Sequence, residues 1–161
     1  MAFEPITDRA LTGAFLGEEL RAELLGLSMS EAPKEACGLL FSTDVETGLG
    51  YRARVTRVIS IPNVAPDFTL QRRFELDPVA WVAAERAARK AGEDLVGMWH
   101  SHPDGPPRPS QEDAVGAESL PLDLPYVLVD LSALGSEAAV TFWRWCPATP
   151  ASPPRAGRRD L

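Results

Sequence analysis

Leu95-Val96-Gly97-Met98-Trp99-His100-Ser101-His102-Pro103 begins as a short apolar run, passes two histidines and breaks at a proline. An apolar run of this length followed by turn residues reads as a buried strand, Leu95 to His100. A proline-rich loop, Pro103 to Pro109, follows it, and Ser110 then opens a short helix. On the N-terminal side, Asp77 as cap and Pro78 at the first helical position start a helix that ends at Gly92. Its Ala80, Ala83, Ala84, Ala87 and Ala91 are expected to form a small-residue face that packs closely on a sheet.

Further out, Pro62 to Leu76 has two more prolines, Asp67 and the Arg72-Arg73 pair but no persistent period, and is expected to be a functional loop. Tyr51 to Ile61 alternates, with Tyr51, Ala53, Val55, Ile59 and Ile61 on one face, as in a half-covered strand. Ala36 to Phe41 is short and apolar and predicts a buried strand. Leu16, Leu20, Leu24 and Leu27 recur at helical spacing in a helix that stops near Ala32-Pro33. Two more strands, Tyr126 to Leu131 and Ala139 to Trp145, lie downstream. Helices and strands mingle, which favours a layered α/β sheet over an all-α or all-β design.

The 161 residues, 45% hydrophobic, suit one domain. A net charge of -7 offers no broad cationic field, so nucleic acid and anionic lipid are not expected partners. Cys37 and Cys146 form neither a disulfide framework nor the pairs of a structural zinc site, which suits a reducing cytoplasm. The start, with Glu4, Pro5 and Asp8, is unlike a signal peptide, and no run reaches the roughly 18 apolar residues of a membrane helix. From Pro147 onward the chain is rich in Pro, Ala and Arg; the expected division is a folded domain, 1–146, and a flexible tail, 147–161.

The only two histidines are His100 and His102. On an extended backbone they project to the same side, where two imidazoles can meet one metal ion. Asp113, eleven residues beyond His102 in the first turn of a helix, can close a third coordination position. Two histidines and one aspartate with a place left for water match a catalytic zinc site. Glu35, just before the strand Ala36 to Phe41, is a candidate to move the water proton to a leaving amine, and Ser110 a candidate donor to a developing oxyanion. Each feature has a plainer explanation: Ser110 to Asp113 also fits a helix-capping box, and Glu35 could follow Lys34 on a solvated turn. Their conjunction is what favours chemistry.

Glu35, His100-Ser101-His102-Pro103, Ser110 and Asp113 together resemble the pattern of the JAMM (JAB/MPN-domain) metalloproteases, in which His-x-His is followed after seven residues by Ser-x-x-Asp. The similarity runs from about the first helix to Trp145, and Glu35-Ala36-Cys37-Gly38 and Phe74-Glu75-Leu76-Asp77-Pro78 resemble bacterial members. The resemblance implies a cytidine-deaminase-like, three-layer α/β/α fold with a mixed sheet. It implies one Zn2+ per chain held by His100, His102 and Asp113, with Glu35 activating water and Ser110 stabilising the tetrahedral intermediate. The implied substrate is a ubiquitin-like or sulfur-carrier protein ending in Gly-Gly, joined to cysteine or to a lysine. Too few His and Cys remain for the second zinc site of polyubiquitin-specific relatives. A homodimer is left open.

Cys37 is expected to be a small buried hydrophobe, Met98 and Trp99 core or pocket wall, and Arg72 and Arg73 solvated loop residues. Two other functions compete with the implied one. A non-haem Fe(II) enzyme also has two histidines and a carboxylate, though usually in another order, and a metal-free MPN-type scaffold needs none of them.

Overall fold

The computed structural model describes residues 2–44, 50–118 and 124–146; the expected tail, 147–161, lies outside them. Its elements are β1 (Ala2–Pro5), α1 (Arg9–Phe15), α2 (Glu18–Glu31), β2 (Cys37–Ser42), β3 (Arg57–Ile61), α3 (Pro78–Lys90), β4 (Asp94–His102), α4 (Gln111–Ala117), β5 (Pro125–Asp130) and β6 (Val140–Cys146). The strands form one sheet in the order β1-β6-β5-β4-β2-β3. Only β4 and β5 pair in parallel, with α4 on the crossover between them, so the sheet is mixed.

Two cores cover the two faces. On one, Phe15, Leu16 and Leu24 of the α1–α2 segment pack with Leu40, Val96, Trp99, Val127 and Phe142. On the other, Ala80, Trp81, Ala84 and Ala88 of α3 pack with Leu39, Phe41, Met98 and Tyr126. Helices thus lie on both faces, the three-layer α/β/α arrangement expected. Leu16, Leu20, Leu24 and Leu27 all face the first core as the spacing predicts, but Leu16 sits in the break between two helices and Gly17 caps the second.

The alanine face of α3 needs correction. Ala80 and Ala84 point inward, but Ala83, Ala87 and Ala91 are exposed, and the buried stripe is completed by Trp81 and Ala88. Alanine is a strong helix former on either side of a helix, so its spacing does not mark the buried face. Asp77 caps the helix as expected, accepting from the Val79 and Ala80 amides, and Gly92 ends it at φ 75°.

The strand predicted over Tyr51 to Ile61 is shorter. Gly50–Arg52 form a 3-10 turn, and only Arg57–Ile61 pair with β2. Tyr51 is drawn under the sheet, where its hydroxyl donates to the Trp143 and Tyr126 carbonyls at 2.6 and 3.3 Å. Val58 then faces the first core and Ile59 and Ile61 the second, so both parities are covered and the apparent single face dissolves. Neither β1 nor α1 has a sequence signal strong enough to predict it; β1 is a four-residue edge strand.

Gly38 is fixed by close approach. Trp99 reaches across β2 to donate from Nε1 to the Ile59 carbonyl at 3.1 Å, and a Cβ on Gly38 would lie 1.9 Å from that carbonyl oxygen and 2.6 Å from the indole nitrogen. Gly38→Ala is therefore expected to destabilise the protein by about 3 kcal/mol or more, since backbone must move and a buried hydrogen bond is strained or lost. A denaturant midpoint unchanged from wild type would contradict this.

Candidate metal centre

The alternation of β4 directs Met98, His100 and His102 toward the α3 face and Trp99 toward the other. Ser101, between the histidines, exchanges two hydrogen bonds with Ala36: its hydroxyl accepts from the Ala36 amide and its amide donates to the Ala36 carbonyl, both at 2.8 Å. That double tie sets Glu35, the preceding residue, beside the histidines. His100 is held by a stacked Phe74 ring, with centroids 4.4 Å apart.

The third component arrives on α4. Ser110 is its N-cap: the hydroxyl accepts from the Asp113 amide at 3.0 Å, while the Ser110 amide donates to Asp113 Oδ2 at 2.6 Å. The capping-box and metal-ligand explanations of Ser-x-x-Asp are thus not rivals. The same carboxylate oxygen that completes the cap lies 3.3 Å from His102 Nε2 and 3.4 Å from His100 Nε2.

The two Nε2 atoms are 3.0 Å apart. His102 Nδ1 lies 2.8 Å from the Pro106 carbonyl and donates to it, which leaves the Nε2 lone pair facing inward. Glu35 Oε1 is 3.9 Å from His102 Nε2, and ligand atoms of all four residues, each buried, fall within 4.8 Å of one another. A tetrahedral ion about 2.0–2.1 Å from three N and O donors keeps them about 3.3 Å apart. The triangle of His100, His102 and Asp113 matches that spacing.

Electrostatics separate the two carboxylates. Burial pushes Glu35 up to about 8, partly opposed by His102 and reinforced by Asp113 and Glu112. Burial also acts to raise Asp113, but His100, His102 and the Ser110 amide outweigh it and hold the carboxyl well below the usual range. Burial lowers His100 despite Asp113; for His102 burial is outweighed by Asp113, the Pro106 carbonyl and Glu35, and its pKa rises. Among the described residues Glu35 Oε2 has no hydrogen-bond partner, as befits a carboxylate that is not spent on structure.

A stability test follows. Between the ordinary carboxylate value of 4.5 and about 8, folded metal-free protein keeps a proton on Glu35 that the unfolded chain has lost. The stabilisation is full below the lower value and lost as pH rises through the upper one. In chelator, wild-type stability relative to Glu35→Gln should fall by on the order of 2 kcal/mol or more from pH 5 to pH 8. Parallel curves of stability against pH would refute the assignment.

From Ser110 and Asp113 a groove of about 1100 Å³ runs between α3 and α4, with Phe74, Leu76, Trp81 and Val115 among its apolar walls and Glu75, Glu85 and Glu112 along it. Met98 is buried beneath it and Arg73 lines it, while Arg72 is exposed. Trp99 belongs to the opposite core. Cys37 is buried, its thiol donates to the Ile61 carbonyl at 3.4 Å, and burial pushes its pKa up to about 12, so it behaves as an inert core residue.

Three contributors escaped the sequence: Ser101, Phe74 and Asn63. For Asn63 a signal existed, since an asparagine just after a strand and next to proline often folds an Asx turn, and Asn63 Oδ1 accepts from the Ala65 amide at 3.1 Å.

Comparison with known proteins agrees with this architecture. A solution structure of a protein from Desulfitobacterium hafniense superposes with a TM-score of 0.62 at 27% identity, covering 80% of this chain and 88% of that one. A probable TtuB-protein conjugate cleaving protease from Thermus thermophilus is 38% identical over 111 residues, 69% of this chain and 63% of that protein. A desampylase from Haloferax volcanii is 35% identical over 83 residues, 52% of this chain and 54% of that protein. The match therefore spans less than two thirds of either relative's own length. The family profile described as prokaryotic homologs of the JAB domain matches residues 17–146. With four-fifths of its length under that profile, the chain belongs to the JAB-domain family.

Proposed function

We propose that the chain is a zinc-dependent peptidase that hydrolyses the amide bond after the C-terminal Gly-Gly of a ubiquitin-like or sulfur-carrier protein, releasing cysteine or a lysine-linked partner. The observation that carries this is the buried triangle of His100, His102 and Asp113 with the Glu35 carboxylate beside it. When bound, zinc supplies Lewis acidity that polarises the scissile carbonyl and makes water acidic near neutral pH. Glu35 takes a proton from the attacking water and passes it to the nitrogen of the breaking C–N bond, yielding a carboxylic acid and an amine. Ser110 uses a lone pair for the Asp113 amide, so its own hydroxyl proton can be donated to the carbonyl oxygen as charge develops there.

The relatives supply the substrate class, since one is named for cleaving TtuB conjugates and another as a desampylase. An extended tail can reach the site along the groove, or as a strand added to β3, the sheet edge whose Ile61 lies level with Cys37 and His100. Among the described residues no helix is long and apolar enough to cross a membrane, and two cysteines without the spacing of a disulfide framework suit the reducing cytoplasm proposed as its setting. The catalytic unit is 1–146.

Purified protein incubated with a carrier fused through Gly-Gly to cysteine or to a lysine peptide is expected to cleave it, to stop in chelator, and to resume when zinc is restored. Cleavage that survives both chelation and Glu35→Gln would overturn the mechanism. Metal analysis separates this from an iron enzyme.

A further inference from the structure

We infer that Asn63 is a positioning residue that locks Glu35 to the wall of the substrate groove. The inference rests on the role proposed for Glu35. Asn63 lies just past β3, and its carboxamide makes four hydrogen bonds in two pairs. Nδ2 donates to the Glu35 carbonyl at 2.9 Å and to the Arg73 carbonyl at 3.1 Å. Oδ1 accepts from the Ala65 amide at 3.1 Å and from the Glu75 amide at 3.0 Å. Two donor sites and two acceptor lone pairs are all an asparagine has, so the side chain is saturated.

What it joins gives the saturation its meaning. Arg73 and Glu75 belong to the groove wall, where the main chain is also pinned by the Val64 amide on the Glu75 carbonyl, 2.8 Å, and the Asp77 amide on the Pro62 carbonyl, 3.1 Å. Glu35 is held from the same loop at its other side, its amide donating to the Leu70 carbonyl at 2.7 Å. Both backbone polar groups of Glu35 are therefore fixed by the segment 63–75 and none by a neighbouring strand. Its carboxylate is held less firmly: among the described residues Oε2 has no hydrogen-bond partner, and Oε1 lies 3.9 Å from His102 Nε2. Its placement against the reacting water depends on the backbone, and through Asn63 that backbone moves with the wall that holds substrate.

The two halves of the carboxamide can be separated. Asn63→Asp keeps both acceptor bonds that shape residues 65 and 75, but loses the donors and sets a carboxylate against the Glu35 and Arg73 carbonyls. Asn63→Ser, uncharged and too short to reach Glu35, serves the same purpose if the aspartate prevents folding. Either change is expected to lower kcat for a Gly-Gly-linked conjugate about 10- to 100-fold, the cost of a misplacement near 1 Å, with KM within about threefold of wild type. Zinc affinity, read by competition with a chromophoric chelator, should change far less than kcat, because the ligands lie on β4 and α4 and Asn63 reaches them only through Phe74, stacked on His100.

The decisive measurement is the combination with Glu35→Gln. If Asn63 acts through Glu35, the double variant is no slower than Glu35→Gln alone; a purely structural role would add its own loss. Wild-type kcat in Asn63→Asp, or additive losses in the double variant, would overturn the inference while leaving the role of Glu35 intact. Full activity in Glu35→Gln would overturn the role of Glu35 and the inference with it.

Discussion

Replacing Glu35 by glutamine is expected to lower kcat for the proposed conjugate cleavage by about 10²- to 10⁴-fold, the usual contribution of a positioned general acid–base, and to leave zinc binding in place. The side chain keeps its size and its site, so loss of packing is not the cause. What disappears is a buried carboxyl whose pKa, pushed up to about 8 in the metal-free protein, lets it hold and release a proton near neutral pH. Glu35 also stands outside the triangle of His100, His102 and Asp113, 3.9 Å from the nearer imidazole nitrogen. The expected signature is thus a fall in turnover with zinc stoichiometry unchanged, measured by steady-state kinetics and metal analysis on the same preparation. A variant that lost its metal in parallel with activity would make Glu35 a ligand and leave the proton transfer unassigned.

Asp113→Asn has the second large effect, and of the opposite kind. The amide oxygen can still accept from the Ser110 amide and keep the helix cap, but it no longer brings a negative charge to the imidazole pair. Zinc affinity should fall by more than about 100-fold, beyond the range seen when only an outer partner of a ligand is changed, and turnover at limiting zinc should fall with it. Asp113→Ala should add about 1 kcal/mol of lost stability, because the bond from the Ser110 amide to the carboxylate goes as well, while the Ser110 hydroxyl keeps its own capping bond to the backbone amide of residue 113. Competition with a chromophoric chelator reads the first effect and denaturant unfolding of the metal-free proteins the second. Equal zinc affinity in Asp113→Asn and wild type would remove Asp113 from the ligand set.

The residues of this centre were legible because their chemistry is local. Two histidines on one strand face, and a serine and an aspartate in the first turn of one helix, need only the periodicities of strand and helix to be aligned. The three-layer order was implied only by the family resemblance, whereas a layered α/β sheet was legible for a similar reason, since helices and strands mingle along the chain. Ser101 and Asn63 were not, because their partners, Ala36 and Glu35, come from distant parts of the sequence and are met only through strand register and a folded loop. Tyr51 is misleading because its alternation in sequence mimics a strand, whereas the ring hydroxyl binds carbonyls of β5 and β6. The alanines of α3 misled because a residue that favours helix everywhere says little about which side is covered.

The paired hydrogen bonds between Ser101 and Ala36 act as a ruler. One is a main-chain rung, the Ser101 amide on the Ala36 carbonyl, and the other borrows the short Ser101 hydroxyl, so the distance from the start of β2, next to Glu35, to the histidine strand is set close to the strand pitch of about 4.8 Å. Slipping β2 by one residue would turn every side chain to the opposite face and carry Glu35 away from the histidines. The opposite ends of these strands, where Ser42 pairs with Asp94, lie away from the rungs, so a change there leaves the dimensions of the centre in place.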